Sequence, residues 1–520
     1  CVDEATRYAV ALLGGHHGAN ELARRVSVVL GCEPVITTAS DSANIHPLDS
    51  YGADLGFRIA DPALLAPIGA RILSGEPVTL RGAERWPLPA LPVVPVAADS
   101  DGDASVPEIE ITDRDHRHLG DGPDQHPDPS RPRLVYHSPS LVVGVGASRG
   151  VSADEVLEAV DKALAAGRLS PLSVARLASV DAKSDEPGIL EAAERRGWPV
   201  VFHPASRLAP IDVPNPSAVV LAEVGTPSVA EAAARFDGAH RPLADLVVPK
   251  TLSRPRSMGD REVPMATAAV ARLRPRGRLA LIGLGPGARD LLPPRAVAEL
   301  RRASVVIGLD QYLDQIRDLL RPGTEVRATG LGSEEARAKD AVETARSGRA
   351  VALVGSGDSG MYAMASPALD LFDDLDDVDV VGVPGITASL AASNILGAPL
   401  GHDHAVISLS DLHTPWEAIE RRVRAAAEGD FVTVFYNPRS RGRDWQLGKA
   451  LEILAAHRPP TTPVGCVRDA SRPGERSWVS TLADFDPSEV DMYTVVLVGS
   501  SQSRVAAGRV VTPRGYTWHS

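Results

Sequence analysis

An acid and an imidazole two residues apart, Asp411 and His413, follow an apolar run at 405–409 that reads as a strand. Such a pair can pass protons as general acid and base. Downstream, Phe435-Tyr436-Asn437-Pro438-Arg439-Ser440-Arg441 closes another strand and brings in Arg439, Arg441 and Arg443. Their planar guanidinium groups can hold carboxylates bidentately. Each feature has an ordinary alternative. Thr414-Pro415 opens a helix from Trp416 to Ala427, so Asp411 can be loop architecture. Arginines on a loop can be solvated surface.

Three glycine-marked segments lie upstream. They are Gly283-Leu284-Gly285-Pro286-Gly287, Gly355-Ser356-Gly357-Asp358-Ser359-Gly360 and Val383-Pro384-Gly385-Ile386-Thr387-Ala388. Each follows a short apolar strand-like run, and glycine there lets backbone approach closely. Together they describe a small-molecule site built from main chain. Asp358 can bond a ligand hydroxyl or cap the helix that follows at Tyr362, and Thr387 can cap the helix Ala388–Leu396 or bond a ligand. Alone, Gly283 to Ala288 has the G-x-G-x-x-A spacing of a dinucleotide fingerprint, with Asp310 as the ribose acid. Against this, Pro293 and Pro294 push the next helix downstream, leaving Ala288 to Leu292 extended.

The elements that must position these residues are those of an α/β protein. At 520 residues the chain exceeds one core, and three to four domains are expected. Strands at 304–307, 351–354, 378–383, 405–409, 431–436, 463–467 and 493–498 alternate with helices. With a seam near 398–404, they predict two α/β lobes in tandem, 277–400 and 401–520. A βαβα rhythm with a mainly parallel sheet occupies 139–274, and its helix 153–166 carries a capping box from Ser152 to Glu155. Residues 1–95 read as α/β. Residues 96–138, rich in Asp, His, Pro and Arg, read as a disordered linker, with His116, His118 and His126 solvated. The chain opens on Cys1, and the first domain is expected to lack its natural start.

Net charge is −13, which argues against a general nucleic-acid binder. No apolar run reaches the length of a membrane span. Cys1, Cys32 and Cys466 are too scattered for a disulfide framework or a CxxC metal site, so no metal is expected and a cytoplasmic setting is the default.

From Leu281 to about residue 505 the chain resembles the tetrapyrrole (corrinoid) methyltransferases. The carriers are the Gly283–Gly287 loop, Gly355–Tyr362, Val383–Ser389, Ser410–Glu417 and Tyr436–Ser440, in order. The last two look most like the ring-contracting precorrin-3B C17-methyltransferases of cobalamin synthesis. The resemblance implies S-adenosylmethionine in the cleft between two lobes, held mostly by main chain. It places Pro286, Ser356, Gly357, Asp358, Thr387, Ala388, Tyr436 and Asn437 at that cofactor. It implies a corrinoid substrate, with Arg439 and Arg441 binding it and Asp411 and His413 moving protons during ring contraction, and a homodimer. No nucleic acid or membrane partner is expected.

The first half resembles the cobalt-precorrin-5A hydrolase type proteins, which open the lactone that ring contraction makes. Leu13–Ala23, Pro34–Asp41, Val143–Gly146, Leu177–Glu186 and Val224–Ala233 carry that likeness. Candidates there are His16, His17, Asn20, Glu21, Asp181, Lys183 and Glu186. His16 or Glu186 would activate water; helix capping and core polar contacts are the competing roles. Two other readings stay open: a nicotinamide-dependent oxidoreductase resting on Gly283–Ala288 and Asp310, and a first half that holds a corrinoid without catalysis.

Overall fold

The computed structural model describes residues 1–11, 19–36, 39–96, 106–115, 132–238, 243–258, 261–373, 377–440 and 442–515. It has the expected α/β class, built on several separate sheets.

The sheet that matters most is parallel throughout. Its order is Glu325–Thr329, Val305–Leu309, Ala350–Gly355, Gly277–Gly283, Val378–Val383. Both faces are covered. Leu279, Leu281, Val351 and Leu353 enter one core, while Ala280, Ile282, Ala352 and Val354 enter another. Burial on both sides explains why these strands read as unbroken apolar runs rather than alternating ones. Pro293 caps and Pro294 opens the helix Pro294–Arg302, while Ala288 to Leu292 carries only a single tight turn, Arg289–Leu291.

The following sheet is mixed, in the order His404–Ser408, Val432–Tyr436, Thr494–Val498, Pro463–Arg468, Arg476–Thr481. Only its first pair is parallel. Beneath it lies Arg458, 5% exposed. Its guanidinium donates to the carbonyls of Gly499 at 2.7 Å and Phe431 at 2.5 Å, and to Thr433 Oγ1 at 3.3 Å. Burial lowers its pKa to about 10, so it still carries its charge at neutral pH.

In the first half, Val200–His203, Val174–Val180 and Leu141–Ala147 run parallel. Ala266–Arg272 and Asp245–Leu252 extend that sheet antiparallel. A second sheet runs Arg58–Ile59, Arg133–His137, Glu108–Thr112, Thr79–Arg81, Val94–Val96. This corrects the expected linker at 96–138, because Glu108–Thr112 and Arg133–His137 are paired central strands. Ile109 and Ile111 are buried. The intervening Glu108 and Glu110 are also buried, held by Arg81 at 2.7 Å and Arg133 at 3.3 and 3.4 Å. A charged strand is stable there because its charges are paired. His116, His118 and His126 lie outside the described residues.

This second sheet seats against the parallel-sheet lobe. Gly323 has φ +88° and Gly348 φ +107°, and a Cβ on either would overlap a carbonyl oxygen of the first half, that of Leu91 or Arg85. Asn44 Nδ2 donates to the Leu320 carbonyl at 3.0 Å. His46 is enclosed at this junction, facing Arg321, Arg302 and Asp54; burial first, then Arg321, pushes its imidazole down to about 4. The unfolded chain takes up this proton near pH 6.5 and the folded chain only near 4, so between those values the unfolded state binds more protons. Stability should therefore fall through that window as pH drops, by up to about 3 kcal/mol from this group. Melting curves of the native chain and His46→Gln, compared from pH 7 to 4, should converge; parallel curves would remove His46 as the cause.

Among the described residues no helix is long and apolar enough to cross a membrane.

Candidate functional site

Adjacent parallel strands bring the three glycine loops to one edge of the sheet, at the carboxyl ends where open α/β sheets bind ligands. The loops also pack on one another. Gly285 N donates to the Gly357 carbonyl at 3.0 Å and Gly357 N to the Gly285 carbonyl at 2.8 Å. Both residues have left-handed backbone, φ +77° and +67°. A Cβ on Gly283 would come within 2.6 Å of the Gly357 oxygen, and one on Gly385 would overlap that same oxygen outright. Part of the glycine signal is thus loop-on-loop contact.

Asp358 does not cap a helix. Its Oδ1 accepts from Gly360 N at 2.9 Å and its Oδ2 from Gly385 N at 3.0 Å, which ties the second loop to the third. The helix begins later, at Ala365. Thr387 occupies the N-cap position of Ala388–Leu396 without a side-chain capping bond. Its hydroxyl instead meets Tyr436 Oη at 2.6 Å, and that phenol oxygen also accepts from Ser389 N at 2.7 Å.

These contacts join the two lobes around a cleft of about 1030 Å³. Pro286, Ser356, Gly357, Asp358, Thr387, Ala388, Tyr436 and Asn437 all line it, as does Arg439, which donates to the Ser488 carbonyl at 2.8 Å. Arg441 lies outside the described residues. Asp411 and His413 are exposed and do not line the cleft. Asp411 accepts from Gln446 Nε2 at 2.9 Å. Their loop stays beside the cleft wall, because Ser408 Oγ accepts from Asn437 Nδ2 at 3.1 Å.

Sequence reasoning did not single out two side chains that cross between the lobes. Arg472 donates from Nε to the Pro286 carbonyl and from Nη2 to Ser356 Oγ, both at 2.8 Å. Tyr362 Oη donates to the Val406 carbonyl and accepts from Ser408 N, both at 3.1 Å. Tyr362, Asn437 and Asp469 line the cleft with φ of 50°, 51° and 50°. Strained backbone of this kind collects at functional sites.

Cleft size and lining suit a nucleoside-sized cofactor, because residues of the glycine loops together with aromatic and polar side chains such as Tyr362, Tyr436 and Asn437 surround a volume typical of ligand sites. The dinucleotide alternative fits poorly. The strand Val305–Leu309 that precedes Asp310 is separated from Gly277–Gly283 by Ala350–Gly355. No helix N-terminus follows the first loop directly to receive a pyrophosphate.

In the first half, Glu186 is 1% exposed. It precedes the helix Pro187–Arg196 without capping it through its side chain. Instead Oε1 accepts from Gly150 N at 3.0 Å, and Oε2 lies 3.7 Å from Arg149. Asn20 Nδ2 donates to Asp41 at 2.8 Å. Asp181 Oδ1 accepts from Ala182 N at 2.8 Å. Lys183 sits in the same turn, Asp181–Lys183. His16, His17 and the side chain of Glu21 lie outside the described residues.

Residues 278–486 match the family model of Tetrapyrrole (Corrin/Porphyrin) Methylases, and the chain belongs to that family. Residues 141–271 match the Cobalamin synthesis G C-terminus and residues 1–41 the Cobalamin synthesis G N-terminal family. A probable cobalt-factor III C(17)-methyltransferase of Salmonella typhimurium is 45% identical over 240 residues, covering 46% of this chain and 99% of that protein. A precorrin-3B C(17)-methyltransferase of Sinorhizobium sp is 40% identical over 250 residues, covering 46% of this chain and 97% of that one. The solved structure of the methyltransferase CobJ is 40% identical and covers 46% of this chain and all of its own, with a TM-score of 0.43.

Replacing Tyr436 with Phe would leave Thr387 and the Ser389 N–H without their shared partner. Cofactor affinity should fall about tenfold, the equivalent of roughly one lost hydrogen bond. Calorimetric titration with S-adenosylhomocysteine would read it; unchanged affinity would take Tyr436 out of cofactor binding.

Proposed function

We propose that the second half transfers a methyl group from S-adenosylmethionine to C17 of precorrin-3B, or of its cobalt-bearing counterpart, with ring contraction, in cobalamin biosynthesis. The observation that carries this is the 45% identity running through 99% of a relative named for that reaction. The cleft of about 1030 Å³ adds support, because four of the five motifs of the resemblance converge on it and the fifth, Ser410–Glu417, lies beside its wall.

S-adenosylmethionine supplies an electrophilic methyl group when bound. The chain's own work is to hold and align. Pro286, Ser356, Gly357, Asp358, Thr387, Ala388, Tyr436 and Asn437 would surround the cofactor, with Asp358 and Arg472 keeping the loops in register. Lining up the macrocycle carbon with the methyl group and keeping water out provides most of the acceleration. Arg439 and Arg441 would hold acetate and propionate arms of the substrate. Asp411 and His413 would move protons during contraction, entering from the loop beside Asn437. The first half would open the resulting lactone, with Glu186 or His16 activating water. The enzyme would act as a cytoplasmic homodimer without nucleic acid.

Incubation with precorrin-3B and S-adenosylmethionine, followed by mass spectrometry and absorption spectroscopy, tests the main reading. A product one methyl group heavier with a contracted chromophore is expected, from this substrate or from cobalt-factor III. An unchanged macrocycle from both would sink the substrate assignment. In the same assay, Asp411→Ala and His413→Ala should yield methylated macrocycle that contracts slowly; full contraction would remove their role. With cobalt-precorrin-5A as substrate the native chain should open the lactone and Glu186→Gln should not, and a normally opened lactone in the variant would exclude Glu186 as the base.

A further inference from the structure

We propose that the junction between the two halves is a second binding site, taking carboxylate arms of a corrinoid between the first half and the parallel-sheet lobe. A cavity of about 600 Å³ lies there, with Arg24 and His46 on one wall and Ala298, Arg301, Arg302 and Arg321 on the other. Neither half alone encloses it.

The charge balance defines the ligand. Asp41 pairs with Arg24 at 3.1 Å, and Asp54 lies 3.5 Å from Arg302. Asp49 also lines the wall. Among the described residues neither Arg301 nor Arg321 has a carboxylate within 4 Å. Arg321 is fixed in place, donating from Nε to the Arg301 carbonyl at 3.0 Å and from Nη1 to the Asn44 carbonyl at 3.4 Å. Its guanidinium is held below its ordinary pKa by burial first and then by the neighbouring charge of Arg301. Arg321 is partly enclosed and Arg301 sits at the exposed rim. Although Asp41 acts on Arg321, the four arginines of the lining outnumber its three aspartates. This surplus favours an anion, and carboxylates match the guanidinium fork. The neutral imidazole of His46 offers an acceptor without adding charge. A space of this size takes an edge of a macrocycle with its acidic arms, not the whole ring.

That the anion is a corrinoid rests on the reading above, so the test separates charge from ring. The full chain is titrated calorimetrically with cobyrinic acid, with its heptamethyl ester and with citrate. The native chain should bind one more equivalent of cobyrinic acid than Arg301→Gln/Arg321→Gln, and the ester should not fill that site. Ala298→Glu, at an exposed helical position that preserves the fold, should weaken the same equivalent at least tenfold. Methyl transfer, measured in parallel, reports folding and the main reading independently. Equal stoichiometry in native chain and variants would overturn the site. Citrate binding that the variants lose, without the extra equivalent of cobyrinic acid, would overturn the macrocycle and leave a small-anion site.

Discussion

Gly385→Ala should nearly abolish binding of S-adenosylmethionine. The new Cβ has nowhere to go, because it would overlap the Gly357 carbonyl oxygen and approach the Gly283 carbonyl oxygen at 2.7 Å. Both obstacles are backbone oxygens, one at a strand end and one in the second loop, so rotamer changes cannot relieve them. The third loop would have to move away from the second, which breaks the bond from Gly385 N to Asp358 Oδ2. It would also carry Thr387 and Ala388 out of the cleft wall. Overpacking of this kind costs about 3 kcal/mol, which corresponds to roughly a hundredfold in affinity when it falls on a binding loop. Titration with S-adenosylhomocysteine would measure this, with circular dichroism as the control for folding. Binding within threefold of the native chain would show that the glycine contacts are incidental. Gly382→Ala is the natural comparison, since a Cβ there meets nothing within 4 Å.

Arg458→Leu should be strongly destabilising, even though Arg458 does not line the cleft. Leucine fills part of the space but leaves the Gly499 carbonyl buried without a donor and the Phe431 carbonyl with Thr433 Oγ1 alone, at 3.2 Å. An orphaned buried acceptor costs about 1–3 kcal/mol and the lost charge-assisted bond to Phe431 adds about 1, so a total near 3 kcal/mol and a drop of about 8 °C in melting temperature are expected. Arg458→Lys should recover only part of this, because a single ammonium cannot span acceptors that a planar fork reaches together. A thermal melt of the three proteins decides the matter. If leucine were tolerated within about 1 kcal/mol, water would have to be satisfying the Gly499 carbonyl.

The parallel sheet and its glycine loops are legible in the sequence because each strand is buried on both faces and each loop needs a residue without Cβ. Glu108–Thr112 is hidden for the opposite reason. Glu108 and Glu110 look solvated in one dimension, and only Arg81 and Arg133, distant in the chain, make their burial affordable. Arg472 is hidden in the same way, since its acceptors Pro286 and Ser356 precede it by 186 and 116 residues. Asp358 shows a subtler limit. Its neighbours suggest a local cap, while its second oxygen serves a loop 27 residues on. Nothing local distinguishes those roles.

The close seating of Gly323 and Gly348 against Leu91 and Arg85 bears on modularity. The two halves resemble separate proteins, and it is natural to study them apart. Yet each supplies one wall of the cavity at their contact, and Asn44 spends its amide on a carbonyl of the other half. Severed near residue 275, each piece would present an unfinished surface to water, the arginine-bearing one on the methylase side. Activities measured on the two pieces would then not add up to that of the intact chain, and a shortfall should be read as a property of the division rather than of either half.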